Sequence, residues 1–179
     1  MSALKSKAIL LKRGKYMDFW REGYWEYVKR NNCTGIVIVL AVTTKNELIL
    51  TEQFRVPVGK KVIEFPAGLA NDLDLVKRES LAQAAKRELF EEAGYTARRI
   101  VKIFEGPTSG GSSADIITIM RAYDLRKVSA GGGDHTEAIK VYTVPLSKVE
   151  RWLVQKRQAG SLVDPKIYAG LYFLKKYNR

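Results

Sequence analysis

The 179-residue chain holds one cysteine and one histidine. Cys33 alone excludes an internal disulfide and any zinc site built on several thiolates. His135 alone excludes a site that needs two imidazoles. Long apolar runs are missing as well: the longest, Ile36 to Val42, has strand length and falls far short of the ~20 residues of a membrane-spanning helix. Met1 to Lys7 lack the apolar stretch of a secretory signal, so a cytoplasmic location without membrane attachment is expected. With 46% apolar and 28% charged residues the composition is ordinary for a folded protein, which excludes disorder as a description of the whole. The length suits one globular domain with a real core and leaves little for a second.

Acidic residues are the minority charge, 19 against 31 Lys and Arg, for a net charge of +12. The excess is terminal: residues 1–30 carry +5, residues 147–179 carry +6, and the middle of the chain carries +1. Most carboxylates therefore sit in the centre. Such a distribution suits an anionic partner, either nucleic acid or a phosphorylated small molecule beside an acidic metal site. A basic surface that serves solubility alone is the plainer alternative.

Short apolar and charged pieces alternate over residues 1–32, around Gly14 and Gly23, and predict two or three antiparallel strands. Strands are further predicted over 35–42, 47–54, 61–65 (stopped by Pro66 and Gly68), 99–104, 116–122 and 139–144. Helices are predicted over 79–93, rich in Ala and stopped by Gly94, then over 146–158 and 165–176. Strands and helices mix without regular alternation, which favours a mixed-sheet α/β or α+β sandwich over a doubly wound parallel sheet.

The helix over 79–93 carries Arg87-Glu88-Leu89-Phe90-Glu91-Glu92-Ala93-Gly94. At about 100° per residue Glu88 and Glu92 lie nearly above one another, with Glu91 round the same side. Like charges so placed weaken a helix, and only Arg87 compensates locally. Hard divalent cations would justify them, because Mg²⁺ and Mn²⁺ choose carboxylate and carbonyl oxygens. Three glutamates alone read equally as a solvated acidic face.

The surrounding residues decide between the two. Gly68, Glu79, then seven residues and Arg87-Glu88-Leu89-x-Glu91-Glu92-x-Gly94-Tyr95 resemble the Nudix box of the Nudix hydrolases. One departure stands out: ten residues, Leu69 to Arg78, separate Gly68 from Glu79 where the family pattern has five. Trp25-Glu26-x-Val28-Lys29-Arg30, Glu52-Gln53-Phe54-Arg55-x-Pro57 and Ile63-Glu64-Phe65-Pro66-Ala67-Gly68-Leu69 resemble the ADP-ribose and nucleoside-diphosphate-sugar pyrophosphatases within that family. Thr108-Ser109-Gly110-Gly111-Ser112 is similar to a loop of the same group.

The resemblance implies an α/β fold, a Nudix α/β/α sandwich with a mixed β-sheet, plus a short N-terminal antiparallel β arm. Residues 1–32 would be that arm and a dimerisation element, and residues 33–179 the hydrolase domain, with the box at 68–95. The implied partner is a second copy with exchanged arms, since 1–32 are too short to bury a core alone. Glu88, Glu92 and the backbone of Ala67 would hold Mg²⁺ (or Mn²⁺), with Glu91 a further ligand or catalytic group. Glu79 and Arg87 would orient these carboxylates. A base from outside the box falls on Glu137, with Asp134 and His135 as neighbours; for His135 an exposed loop histidine is the plainer alternative. Gly131-Gly132-Gly133 would make this loop flexible.

Tyr16 and Trp25 match positions that stack a base in related enzymes, or else they fill the dimer interface. Arg30 and Arg55 match positions that hold phosphate or ribose. Ser109 to Ser113 offer backbone N–H donors. The implied reaction is Mg²⁺-dependent cleavage of ADP-ribose or a related nucleoside diphosphate sugar into a nucleoside monophosphate and a sugar phosphate. An RNA 5′-pyrophosphohydrolase fits the basic termini, but the motifs flanking the box argue against it, so a nucleic-acid partner is not expected. A non-catalytic nucleotide-binding module would have lost the glutamates, and all three are present.

Overall fold

The β-branched run beginning at Gly35 forms the central strand of a computed structural model that describes residues 7–71, 78–133 and 138–177. This strand, β4 (Gly35–Ala41), follows an N-terminal meander of β1 (Ile9–Arg13), β2 (Met17–Glu22) and β3 (Trp25–Arg30). The chain continues through β5 (Glu47–Arg55), β6 (Lys60–Glu64), β7 (Ala67–Ala70) and helix α1 (Leu81–Ala93). It closes with β8 (Tyr95–Pro107), β9 (Ile116–Lys127), β10 (Lys140–Pro145), α2 (Val149–Gln158), β11 (Leu162–Val163) and α3 (Lys166–Tyr177).

Three sheets result, in the orders β1-β2-β3, β10-β5-β6-β11 and β7-β4-β9-β8. Parallel pairing of β4 with β9 and of β6 with β11, inside otherwise antiparallel ladders, makes the two larger sheets mixed. β4 alternates its side chains between two cores, as a strand covered on both faces must. Val37, Val39 and Ala41 meet Ala84, Ala85, Leu89 and Ala93 of α1. Ile38 and Leu40 join the other core, with Val149 and Leu153 of α2 and Ile167, Leu171 and Leu174 of α3. α1 therefore covers one side and α2 with α3 the other, the expected α/β/α arrangement.

Several boundaries differ from expectation. Pro66 and Gly68 do not end the strand region. The chain bends at Phe65-Pro66 and resumes as β7, antiparallel to β4, with Val39 N–H donating to the Pro66 carbonyl at 2.8 Å. β8 and β9 run well past the predicted 99–104 and 116–122, because their charged ends, Arg98, Arg99, Arg126 and Lys127, lie on a solvated antiparallel ladder. A one-turn 3-10 helix, Leu146–Lys148, precedes α2, which starts at Val149 instead of 146. The two-residue strand β11 carries no sequence signal.

The N-terminal meander is antiparallel as predicted. It docks on its own chain through β3: Val28 N–H donates to Ser112 O (3.0 Å), and Ala114 N–H donates to Val28 O (2.9 Å). Among the described residues no helix is long and apolar enough to cross a membrane.

Candidate active site

α1 is held at both ends before its glutamates can be placed. Ser80 caps the start in a reciprocal box: Gln83 N–H donates to Ser80 Oγ at 3.3 Å, and Ser80 N–H donates to Gln83 Oε1 at 2.9 Å. Gly94 ends the helix with φ of 75°, a left-handed conformation that glycine adopts freely. The apolar stripe Ala84-Ala85-Leu89-Ala93 faces the core, and the rotation this imposes carries Glu88 and Glu92 toward β7.

The two carboxylates are buried, at 8% and 5% exposure, against the backbone of Ala67 and Gly68. Ala67 N–H donates to Glu92 Oε2 at 3.1 Å. Gly68 lies under Glu88 so closely that a Cβ at this position would stand 2.0 Å from the Glu88 carboxyl carbon. Glycine serves here by leaving space for the Glu88 carboxylate, not by making a turn.

Arg87 organises the remaining acids. Its Nε donates to Glu79 Oε1 (3.0 Å) and its Nη2 to Glu79 Oε2 (3.1 Å), a bidentate fork. Nη1 reaches Glu88 Oε1 (2.8 Å) and Glu91 Oε2 (3.0 Å), and Nη2 also donates to the Leu69 carbonyl (2.8 Å). Burial of the guanidinium opposes its charge. The Glu79, Glu88 and Glu91 carboxylates outweigh that, and they hold the Arg87 pKa above the usual arginine value.

The lengthened connection between β7 and α1 is closed at its base. Glu79 N–H donates to Asn71 Oδ1 (2.6 Å), and Asn71 Nδ2 donates to Glu79 O (2.8 Å) and Thr34 Oγ1 (2.6 Å). Asn71 adopts φ of 60°, which asparagine tolerates better than most residues. Glu79 is thus delivered to Arg87 whatever the number of residues between. Leu69, Ala70, Asn71 and Arg78 are described; residues 72–77 lie outside the described residues.

Two glycines of Gly131-Gly132-Gly133, the segment expected to be flexible, bond the end of α1. Gly132 N–H donates to Glu92 O (2.8 Å) and Gly133 N–H to Glu91 O (3.1 Å), while Val128 N–H donates to Gly94 O (2.9 Å). The last carbonyls of a helix have no partner within it, and this segment supplies the donors. Asp134, His135 and the predicted base Glu137 lie outside the described residues.

Ala67, Glu79, Arg87, Glu88, Glu91 and Glu92 are therefore brought together. All their potential ligands are hard oxygens, a donor set that fits Mg²⁺ or Mn²⁺, and Gly68 leaves Glu88 room beside the strand. Among the described residues no group of three Asp, Glu, His or Cys side chains already converges in a metal-holding arrangement. The contacts explain why: Arg87 draws Glu88 and Glu91 toward Glu79, and the Ala67 amide holds Glu92. Arg87 engages one oxygen each of Glu88 and Glu91, Oε1 and Oε2 respectively, and a carboxylate can ligate a cation through its second oxygen.

The predicted substrate residues are more scattered. Tyr16 and Trp25 are exposed, at 54% and 62%. Trp25 lies against the Ser109–Ser113 loop, with a ring carbon 3.8 Å from where a Cβ on Gly111 would stand. Arg30 Nε is 3.4 Å from Asp115 Oδ2, and both line a cleft of about 240 Å³ with Cys33, Thr34, Gly35 and Ile36. Arg55 sits in the other large sheet, its Nε 2.7 Å from Glu64 Oε2. Asn71 and Asp115 escape the sequence reading. Neither had a signal in the sequence, since the strand that ends before Asn71 was itself not predicted.

Comparison with known proteins places the chain in a family. The NUDIX domain family model matches residues 33–163. A methanol dehydrogenase activator of Bacillus methanolicus is 31% identical over 141 residues, 78% of this chain and 71% of its own. An ADP-ribose pyrophosphatase of Bacillus subtilis is 36% identical over 125 residues, 69% of this chain and 64% of its own. The crystal structure of an ADP compounds hydrolase superposes with a TM-score of 0.70, covering 99% of this chain and 96% of that one. At 19% identity it speaks for the fold alone.

Proposed function

The chain belongs to the Nudix hydrolase family, and on that premise we propose that it hydrolyses the pyrophosphate bond of ADP-ribose or a related nucleoside diphosphate sugar. Water adds to one phosphorus, the bridging P–O bond breaks, and a nucleoside monophosphate and a sugar phosphate leave. The observation that carries this reading is the convergence of Glu79, Glu88 and Glu91 on Arg87, beside Glu92 on the Ala67 amide. Four acids placed together against two backbone residues and one arginine go well beyond a solvated acidic face.

Glu88, Glu91, Glu92 and the Ala67 carbonyl would hold Mg²⁺ or Mn²⁺, which when bound neutralises pyrophosphate charge and acidifies water. Arg87, held by Glu79, fixes where Glu88 and Glu91 start from, and the Ala67 amide does the same for Glu92. Glu137 is proposed as the base that takes the proton from the attacking water. Trp25 and Tyr16 would stack the base, and Arg30 and Arg55 would hold phosphate or ribose oxygens.

Residues 1–32 are proposed as a dimerisation arm exchanged between two copies acting in the cytoplasm, with 33–179 as the hydrolase domain. Ile9, Leu11, Tyr16, Phe19, Tyr24 and Trp25 are all exposed on the arm, and a second copy would cover such apolar side chains.

The test is phosphate release by a coupled phosphatase from a panel of nucleoside diphosphate sugars, with ADP-ribose and GDP-mannose included, with and without Mg²⁺. Mg²⁺-dependent release from at least one member is expected. Release only from triphosphorylated RNA, or from nothing, overturns the reading.

A further inference from the structure

A second groove, of about 390 Å³, opens between β10 and the first turns of α2, away from α1 and its glutamates. Tyr142, Pro145, Lys148, Arg151, Trp152 and Gln155 line it. Its floor is anchored by a buried carboxylate. Glu52, 7% exposed, accepts from Tyr142 Oη (2.9 Å), Ser161 Oγ (2.7 Å) and Lys156 Nζ (3.3 Å). Lys156 Nζ lies 4.0 Å from the centre of the Tyr142 ring, so this cation serves the carboxylate and the ring together. Tyr142 in turn meets Trp152 edge to face, with ring centres 4.9 Å apart. Both rings are held in place before any ligand arrives.

The rim carries one sign of charge. Lys148 and Arg151 line the groove, and among the described residues no carboxylate does. Glu150, their neighbour on α2, is directed to α3, where its Oε1 lies 3.2 Å from Lys175 Nζ. The charge of Glu52 is answered from within by Lys156. Lys156 Nζ lies 5.3 Å from the centre of the Trp152 ring as well. A floor of aromatic rings held by this cation, with a cationic rim and no acid among the described lining residues, fits a flat ring joined to an anion, and the volume lies in the range of small-ligand sites.

We propose that this groove binds a nucleoside monophosphate, its base against Trp152 and Tyr142 and its phosphate between Lys148 and Arg151. Arginine's planar fork suits phosphate oxygens, and lysine adds a point charge. The proposal stands on the groove and not on the hydrolytic reading, although the ligand class is one that such a hydrolysis would release. In chemical terms the groove would let a product act at a distance from the site that makes it.

AMP is the probe, titrated calorimetrically in EDTA into the full-length protein and into K148E/R151E. Both positions are solvent-exposed, so the fold should survive; K148Q/R151Q repeats the test without charge reversal. The wild type is expected to bind one more AMP per chain than either variant, or to bind it at the groove at least about tenfold more tightly. Photolabelling with 8-azido-AMP should mark residues 142–155 in the wild type and not in the variants. In EDTA the hydrolytic site lacks its proposed cation, and if it takes no AMP the counts become one and none. The difference between wild type and variants therefore tests the groove alone, while failure of the hydrolytic reading is read separately from the phosphate-release assay. Equal stoichiometry and affinity in all three proteins, or no label within 142–155, would overturn the proposal.

Discussion

The carboxyl carbon of Glu88 lies 2.0 Å from the point a Cβ would occupy on Gly68, so the helix of the box and the strand before it share one space. The relation is unusual in its cost. The atoms in the way are the far end of a flexible side chain, and a methyl group at 68 would push Glu88 aside without moving backbone. Gly68→Ala is therefore expected to lower kcat on a nucleoside diphosphate sugar by about 10²-fold or more, the scale of a lost charge contribution at a reacting centre. Its Tm should fall by no more than a few degrees. A variant with normal kcat would show that the place of Glu88 does not matter, and a variant that fails to fold would show that the backbone, not the carboxylate, is in the way.

Arg87 answers three carboxylates at once, with 17% of its side chain exposed. Arg87→Gln removes that countercharge while Glu79, Glu88 and Glu91 stay close together. The expected loss is on the order of 2–3 kcal/mol, below the roughly 3–5 of a fully buried pair because water still reaches the site. Mg²⁺ should then raise Tm more in the variant than in the wild type, since a cation at the carboxylates replaces what was lost. Thermal unfolding with and without Mg²⁺ checks both halves. Equal Mg²⁺ shifts in the two proteins would contradict them.

Glu52 supplies a pH dependence away from the catalytic cluster. Burial alone would raise its pKa, but hydrogen bonds from Ser161, Tyr142 and Lys156 outweigh burial and bring it below the ordinary 4.5. A carboxyl depressed in the folded state stabilises fully above its unfolded pKa, and that contribution is lost as the pH falls through the lower folded value. Lys156, raised above 10.5 by Tyr142 and Glu52 against the opposing effect of burial, behaves in the opposite sense and loses its share as the pH rises through its folded pKa. Urea unfolding between pH ~3 and ~7 should show the wild type losing stability below about 4.5, with a shallower fall in Glu52→Gln. Parallel curves would show that the network carries no linked protonation.

How much of this was legible in the sequence depended on how local each signal was. The glutamates of α1, its Gly94 stop and the antiparallel arm rest on periodicity and turn residues within a dozen positions, and they stand where the pattern puts them. β7 was hidden because Pro66 and Gly68 read as breakers, yet the bend at Pro66 is what turns the chain back along β4. The Asn71–Glu79 clasp was hidden because the residues between its ends carry no pattern, although the clasp closes the long insertion at its base. Gly131-Gly132-Gly133 read as a hinge because glycine is permissive. That Gly132 and Gly133 N–H also meet the last carbonyls of α1 is a long-range pairing that composition does not reveal.

The most direct measurement is kcat of Glu92→Gln at saturating Mg²⁺ on whichever nucleoside diphosphate sugar the wild type cleaves best, with the fold checked by circular dichroism. The amide keeps the shape of the side chain and can still accept the Ala67 N–H bond, but it removes the negative charge a hard cation requires. The expected result is a folded protein with kcat lower by at least ~10². A folded variant turning over at the wild-type rate would contradict the assignment of this cluster as the metal-binding and catalytic centre.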